Sequence, residues 1–317
     1  MAKLVIGTNK QTVVPAVVRD MSPEIYRVFR VNNGKIENSI STPFLPLPNT
    51  ATDIGDYCYA NAYRNTPASV LSGAIDLSSL TTISGTYGCQ HMFSSCTGIT
   101  SVDLSSLTTL SGNNSCQYMF YNCTGITSVD ISGLTTLTGS NACGYMFSGC
   151  TGITSVDLSS LTTLGATYAC GNMFSDCTGL ASVNLPSLTT ISSTNACNYM
   201  FSKCTGLITA KLNALNTISV VIAPSYGQVF FGCTHLESVE FGGLKASTFS
   251  SVKNQIQYLF NNTTGSQAPN GCTVHFPSNF DPSDPNHTFD ASTLTGYPTF
   301  GGDASYIHVA FDLPATE

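Results

Sequence analysis

Cysteine is the residue type in this sequence best suited to chemistry, because thirteen cysteines occur and ten of them recur at a constant step of 27 residues. The two series are Cys89, Cys116, Cys143, Cys170 and Cys197, and Cys96, Cys123, Cys150, Cys177 and Cys204. Such thiols could form disulfides, bind a metal or pack as small apolar side chains. Seven residues of helix separate two positions by about 10 Å, beyond the roughly 7 Å that a disulfide tolerates. Zinc sites use closely spaced pairs, and no C-x-x-C occurs here. We therefore predict buried free thiols rather than disulfides between repeats or a metal site.

A second series is acidic and has the same step. It consists of Asp76, Asp103, Asp130 and Asp157, and is continued by Asn184, Lys211 and Glu240. Stacked carboxylates are tolerable on a solvated face, whereas a bound ion would relieve their repulsion. The neighbouring serines supply few of the hard oxygen ligands that Ca²⁺ prefers. A solvated face and an ion or ligand site are the two interpretations, and the first is favoured.

The histidines do not indicate catalysis. They are His91, His235, His275, His287 and His308. None lies in a nucleophile or metal motif such as G-x-S-x-G or H-E-x-x-H. The sequence thus predicts a protein that is not an enzyme, with no catalytic, cofactor-binding or metal-binding residues.

Thr-Thr doublets recur with the same step, at Thr108-Thr109, Thr135-Thr136, Thr162-Thr163 and Thr189-Thr190. An ice- or glycan-binding face would use such ladders of hydroxyls. The structural interpretation is simpler, because β-branched residues favour strands and stacked hydroxyls satisfy one another.

These side chains belong to one repeat unit, C-x-x-M-F-x-x-C-T-G-[IL]-[TA]-S-V-[DN]-[LI]-x-x-L-T-T-[LI], present in five near-identical copies. Ile99, Val102 and Leu104 follow the L-x-x-L-x-L arrangement of a strand with alternating inward and outward residues. Cys89, Met92, Phe93 and Cys96 have the spacing of a helical turn within 87–95. The prediction is a leucine-rich-repeat-type solenoid, with a parallel β-sheet on one face, short helical turns on the other and β-rich flanks.

The run Met-Phe-x-x-Cys-Thr-Gly-Ile-Thr-Ser-Val-Asp-Leu resembles the BspA-like class of bacterial leucine-rich repeats, over about residues 75–277. This unit is longer than the family's usual one, and the strand-ending proline of the family appears only at Pro186 and Pro277. The resemblance implies a parallel solenoid used for adhesion and recognition, and it implies no catalytic residues.

Three segments are expected. Residues 1–56 form a β-rich attachment segment with strands at 3–6, 12–18 and 26–31. Residues 57–277 form the solenoid of about eight coils, and 278–317 form a β-rich C-terminal cap with a strand-like run at 305–313. The opening eighteen residues, Met-Ala-Lys-Leu-Val-Ile-Gly and onward, resemble the heads of tail-fibre and accessory virion proteins of gut-bacterium phages.

Composition limits the partners. The formal net charge is −7 and only eleven Lys and Arg occur, so a nucleic-acid footprint is not expected. No apolar run is long enough to predict membrane insertion. The first seven residues contain one Lys and three bulky apolar residues, too few for a signal-peptide core, so secretion by the ordinary route is not expected.

The function predicted from these observations is a non-enzymatic structural or adhesion protein. In the first setting, the protein is a fibre, tip or decoration subunit of a tailed-phage virion, which is assembled in the host cytoplasm. There, 1–56 would contact other virion proteins or a sister copy, and the repeats would contact a glycan or protein of the host surface. The alternative setting is a BspA-like adhesin on a bacterial cell surface. The predicted recognition face comprises Ser101, Asp103, Ser128, Asp130, Ser155, Asp157, Ser182, Asn184, Thr209 and Lys211. An alternative face is the edge formed by Tyr118, Tyr145 and Tyr199.

Overall fold

The structure, a computed structural model, describes residues 29–32, 35–38, 53–56, 59–193, 195–218, 228–245, 259, 271–280 and 307–316. The predicted strands at 3–6 and 12–18 lie outside these residues. In chain order the strands are β1 (Phe29–Asn32), β2 (Lys35–Asn38), β3 (Gly73–Asp76), β4 (Thr82–Ile83), β5 (Ile99–Asp103), β6 (Thr109–Leu110), β7 (Ser128–Asp130), β8 (Thr136–Leu137), β9 (Ser155–Asp157), β10 (Thr163–Leu164), β11 (Ser182–Asn184), β12 (Thr190–Ile191), β13 (Thr209–Lys211), β14 (Thr217–Ile218), β15 (Ser238–Glu240), β16 (Cys272–Pro277) and β17 (Ile307–Leu313).

Most of these strands form a succession of short parallel strands, two to a coil. The first sheet runs in the order β3-β5-β7-β9 and then β11-β13-β15-β16-β17. The second sheet runs β4-β6-β8-β10-β12-β14. Both sheets pair each residue with the residue 27 positions on in the regular repeats, as Val102 with Val129 and Thr109 with Thr136. The constant step of the sequence is therefore the length of one coil, and the predicted parallel solenoid is confirmed.

The two ends differ from the regular coils. Strands β1 and β2 pair antiparallel, with Phe29 opposite Asn38 and Asn32 opposite Lys35. At the other end, β17 lies within the run predicted to be β-rich and pairs parallel with β16. A 3-10 turn at Ser278–Phe280 follows β16 and buries Phe280. The first sheet thus continues through β17, beyond the last strand of the second sheet.

The third side of the coils is a ladder of turns: the helical turn predicted at 87–95 is not formed there or at its described equivalents as far as residue 233, and Leu259, in the last predicted coil, is helical. We use the name turn ladder for residues 87–96 and the equivalent residues of the other coils. Alternate amides bond to the next coil, as Cys89 N–H to the Ser115 carbonyl (2.7 Å) and Phe93 N–H to the Met119 carbonyl (2.8 Å). Each amide between them bonds to the carbonyl three residues earlier and so closes a four-residue turn, as Met92 N–H does with the Cys89 carbonyl (3.1 Å). Bonding to the next coil removes the amides that an α-helix would use for its own i→i−4 bonds.

Positive φ at every fourth residue makes this turn ladder possible. In one coil these residues are Tyr87 (φ 57°), His91 (53°) and Ser95 (61°), and the following coils repeat the pattern with Asn, Tyr, Asp, Lys and Gly. The left-handed region costs an ordinary L-residue about 1–2 kcal/mol, and β-branched residues suffer most. No Val, Ile or Thr occupies these positions in the described coils. Each left-handed residue returns the chain to the core side, so that residues spaced as in a helix all face inward.

This conformation yields a test at Asn122, whose φ is 56° and whose side chain is exposed. Asn122→Val should lower the free energy of unfolding by about 1–2 kcal/mol, because a β-branched residue is disfavoured in the left-handed region. Asn122→Gly is the matched control and should cost less than about 1 kcal/mol, since Gly149 and Gly232 already occupy equivalent positions. Urea denaturation measures both. Equal losses in the two variants would show that backbone conformation does not decide this position.

A stack of aromatic rings forms the centre of the core. Each ring contacts the next at centroid distances of 5.2–6.1 Å and interplanar angles of 12° or less. The stack consists of Tyr63, Phe93, Phe120, Phe147, Phe174, Phe201 and Phe230. All seven side chains are fully buried. Phe241, Phe276 and Phe311 form a second, shorter stack towards the C-terminal end. Identical rings one coil apart hold the coils in register, because a slip of one residue would unstack all of them.

Candidate functional site

The cysteines lie in the core and are free thiols at all twelve described positions. The second series links successive coils, because each thiol donates to the carbonyl of an aromatic residue one coil back. Cys123 Sγ lies 3.0 Å from the Phe93 carbonyl oxygen and Cys150 Sγ lies 3.1 Å from that of Phe120. The same bond is formed by Cys96, Cys177, Cys204 and Cys233. The predicted burial is confirmed, and the thiols have a structural role that spacing alone did not indicate.

Burial makes these thiols poor nucleophiles. It raises the pKa of Cys96 to about 11 and that of Cys177, Cys197 and Cys272 to about 12. In the first series, a hydrogen bond between Cys143 and Cys170 raises the pKa of Cys170 and opposes, without cancelling, the rise that burial produces at Cys143. Because the thiolate is the reactive form, side chains with pKa values this high are inert at neutral pH.

The predicted recognition face lies on the outer side of the first sheet. The strand pairing places Ser101, Ser128 and Ser155 in one row and Asp103, Asp130 and Asp157 in the next. It likewise places Ser182 beside Thr209 and Asn184 beside Lys211. Ser101, Asp103 and Thr209 are half-buried, and the other seven residues of the face are exposed. The structure therefore brings all ten predicted residues onto one surface of short polar side chains.

The aspartates of this face also hold the turns that follow their strands. Oδ1 of Asp130 accepts hydrogen bonds from the Ser132 amide (3.1 Å) and hydroxyl (2.7 Å). Oδ1 of Asp157 accepts from the Ser159 amide at 2.8 Å. Equivalent bonds are made by Asp76 and Asp103, and the backbone bond from Ser78 lowers the pKa of Asp76. In the described part of the chain, Oδ2 of Asp130 and Oδ2 of Asp157 have no hydrogen-bond partner.

The face changes character in its C-terminal half, where charges alternate. Lys211 Nζ lies 2.9 Å from Glu240 Oε1, and His275 Nδ1 lies 2.8 Å from Asp312 Oδ1. Partial burial raises the pKa of Glu240, but hydrogen bonds from Asn213 and Lys211 outweigh it, so the pKa lies below its ordinary value. Lys211 and Glu240 thus neutralise each other in the C-terminal half, whereas the carboxylates of Asp76, Asp103, Asp130 and Asp157 make the N-terminal half negative.

The two halves meet at an interruption in the first sheet that the sequence analysis missed. Strands β9 and β11 are not paired, and each ends its own part of the sheet. Val156 is only half-buried there, whereas the equivalent Val129 and Val183 are 6% and 3% exposed. A shallow cavity of about 500 Å³ opens at this place, lined by Val129, Asp130, Ser155, Val156, Asp157, Ser159, Asn184 and Pro186. One signal was present in the sequence: this is where Asn184 replaces the recurring Asp and Pro186 replaces the Ser that follows it.

The alternative tyrosine edge is formed by residues of the turn ladder. The rings of His91, Tyr118 and Tyr145 stack face to face at 4.6 and 4.7 Å. Tyr199 lies beyond Asn172 and contacts Phe231 edge-on at 6.0 Å. Stacking covers most of the ring faces, so a partner would meet ring edges and hydroxyls. The structure stacks Tyr118 on Tyr145, and the coil that carries Asn172 lies between Tyr145 and Tyr199.

The Thr doublets lie in the second sheet and bond mainly to the backbone. Thr108 Oγ1 donates to the Thr81 carbonyl (3.1 Å) and lies 3.4 Å from Thr109 Oγ1. Thr135 and Thr189 repeat the bond to the preceding coil. We expected the stacked Thr hydroxyls to bond to one another from coil to coil. They bond instead to backbone carbonyls of the preceding coil and to the adjacent Thr. This supports the structural interpretation of the doublets.

The described residues form neither a metal-binding cluster nor a membrane-spanning helix. No group of three or more His, Cys, Asp or Glu side chains that could hold a metal ion is present among them. No helix formed by these residues is long and apolar enough to cross a bilayer.

The fold and the surface together define a class: a parallel β-solenoid of leucine-rich-repeat type with a continuous polar face. The chain belongs to the family described as the BspA type leucine rich repeat region, which it matches in six copies over residues 28–208 and 117–267. No curated protein matches the sequence.

Solved structures with weak overall similarity include three leucine-rich-repeat or surface proteins. A leucine-rich repeat protein from Bacteroides ovatus is 18% identical, with a TM-score of 0.39 over 76% of this chain and 56% of its own. The pneumococcal vaccine antigen PcpA is 11% identical, with a TM-score of 0.35 over 92% and 88%. A leucine rich cell surface protein from Faecalibacterium prausnitzii is 14% identical, with a TM-score of 0.25 over 89% and 92%. This chain therefore spans little more than half of the Bacteroides ovatus protein.

Proposed function

We propose that this protein is a non-catalytic binding module whose first-sheet face contacts a repetitive polar polymer, such as a cell-surface glycan. The observation that carries the proposal is the register of the face. The hydroxyls of Ser101, Ser128 and Ser155 lie in a row beside the carboxylates of Asp103, Asp130 and Asp157, and those of Ser182 and Thr209 lie beside Asn184 and Lys211. Solenoids commonly use such continuous surfaces for recognition. A flat array of this kind matches a polymer with its own repeat better than a small molecule that needs an enclosing pocket.

The setting that the family supports is a bacterial cell surface. The phage-virion setting rests on the sequence of the first eighteen residues, which lie outside the described residues, as do the strands at 3–6 and 12–18 expected to dock 1–56 onto virion proteins or a sister copy. We therefore place the cell surface first and keep the virion as the second candidate. Antibody labelling of intact bacteria and of purified phage particles separates the two.

The binding face is tested by reversing its charge. In the double variant Asp130→Lys, Asp157→Lys, adsorption of fluorescently labelled protein to bacterial cells should fall by more than about tenfold, because two charge-assisted hydrogen bonds are lost. The matched control is Tyr118→Ala, Tyr145→Ala, which changes the tyrosine edge and leaves the first sheet intact. Adsorption lost only in the tyrosine variant would move the site to that edge. Unchanged adsorption in both variants would reject the repeats as the binding surface.

A further inference from the structure

The interruption between β9 and β11 differs from the rest of the recognition face in shape. Elsewhere the paired strands leave a flat surface on which a polymer could lie in any register. Here β9 and β11 lack the ladder pairing of the other strands and are joined at their start by a long bond from the Ala181 amide to the Thr154 carbonyl (3.4 Å). Val156 is only half-buried, and a shallow cavity of about 500 Å³ opens. Small-molecule sites are typically about 300–1,000 Å³, so the cavity has room for a sugar ring. It gives the face one position unlike all the others.

The lining of the cavity combines the two kinds of contact that a sugar requires. Val156 and Pro186 offer apolar surface to the C–H groups of a pyranose ring. Asn184 offers an amide donor and acceptor, and its side chain is exposed. It cannot form the turn bond that the aspartates form, because the residue two positions on is Pro186, which has no N–H. Its amide is therefore available to a ligand.

The charge of the cavity further limits the class of sugar that it can bind. Asp130 and Asp157 are neighbours in adjacent strands, and Oδ2 of each lacks a hydrogen-bond partner among the described residues. No Lys, Arg or His lines the cavity. The nearest cation along the face, Lys211, is paired with Glu240 at 2.9 Å. An ammonium group bound between the two carboxylates would relieve their repulsion, whereas a carboxylated or sulfated sugar would increase it.

We infer that this cavity binds a single amino-sugar unit, with its ammonium group at Asp130 and Asp157, its hydroxyls at Asn184 and Ser155, and its C–H face on Val156 and Pro186. The inference rests on the proposed function and deepens it: the cavity fixes one unit of the polymer, and the flat face accommodates the units on either side.

Isothermal titration calorimetry with soluble tetrasaccharides tests the inference. A glucosamine tetramer should bind, a neutral glucose tetramer should bind more weakly, and a galacturonate tetramer should not bind. Asp157→Asn should weaken binding of the glucosamine tetramer about tenfold, because a charge-assisted hydrogen bond becomes a neutral one. The turn is kept, since the amide oxygen of Asn can still accept from the Ser159 amide. Asp176→Asn is the matched control: it makes the same chemical change on the turn ladder, away from the first sheet, at a left-handed position (φ 61°) that Asn tolerates, and should leave the affinity unchanged.

Four results would overturn the inference: no binding of the glucosamine tetramer, equal binding of the galacturonate tetramer, equal losses in Asp157→Asn and Asp176→Asn, or displacement of the sugar by millimolar Ca²⁺. These outcomes are separable from failure of the proposed function. If wild-type protein adsorbs to cells and the Asp130→Lys, Asp157→Lys variant does not, the face binds its polymer whatever the tetrasaccharides show. If the glucosamine tetramer binds while adsorption is absent, the amino-sugar site in the cavity is supported and the proposed binding of a cell-surface polymer is rejected.

Discussion

Raising the pH from 8 to 10 should unfold this protein cooperatively, with a midpoint at about pH 9.5. Eleven buried thiols have pKa values raised above the ordinary value. Below the ordinary cysteine pKa of about 8.5, both the folded and the unfolded chain keep these thiols protonated. Above it the unfolded chain releases protons that the folded chain retains, so the free energy of unfolding falls by about 1.4 kcal/mol per thiol per pH unit. Eleven thiols amount to about 15 kcal/mol over one unit, as much as the whole stability of a typical domain.

The measurement is circular dichroism against pH with a reducing agent present, combined with urea denaturation at several pH values. Cys150→Ala should reduce the dependence of the unfolding free energy on pH by about 1.4 kcal/mol per unit, because it removes one such thiol. Leu158→Ala, at another buried core position, should lower stability at every pH and leave that dependence unchanged. If the free energy of unfolding is equal at pH 8 and pH 10, the folded protein does not hold these thiols buried and protonated.

Removing one ring from the centre of the aromatic stack should produce the largest loss of stability from a single substitution. Phe147 is 0% exposed, and its ring contacts those of Phe120 at 5.3 Å and Phe174 at 5.5 Å. Phe147→Ala should lower the free energy of unfolding by about 3–5 kcal/mol, because it creates a cavity and breaks two ring contacts at once. In a solenoid each coil is stabilised mainly by its neighbours, so a defect in the middle weakens both halves.

Phe311→Ala is the control for this prediction. Phe311 is only partly buried, and its ring contacts that of Phe276 at 5.9 Å in the shorter stack. Its loss should cost less than half as much in urea denaturation. If the two variants are equally destabilised, the stacked rings do not act as a continuous core, and position along the solenoid does not matter.

The sequence by itself determined the coil. A step of 27 residues repeated in five copies fixes the length of one turn, because equivalent residues must stack for a solenoid to bury its core. The alternation around Val102 and Asp103 likewise determined which side of each strand faces solvent, since successive residues of a strand point to opposite faces. The polar outer face of the first sheet and the buried cysteine series follow from these two periods, and the structure contains both.

The local conformation of residues 87–96 depended on the tertiary structure. Spacings of three, four and seven residues predict a helix, and the same four side chains do face the core. Their amides bond to the next coil, however, and His91 and Ser95 adopt positive φ. A pattern of inward-facing residues does not reveal whether amides bond within the segment or to a neighbouring coil, so only the assembled stack decides between a helix and a turn ladder.

The cavity between β9 and β11 also required the tertiary structure. Asn184 and Pro186 mark the place in the sequence, but neither residue predicts by itself that two neighbouring strands lose their ladder pairing or that Val156 is only half-buried. Likewise, the sequence placed Lys211 and Glu240 in one column, and their ion pair became evident only from the 2.9 Å contact. Sequence periodicity specifies what is repeated from coil to coil. A site arises where the repetition fails, and its shape depends on how the neighbouring coils pack around the exception.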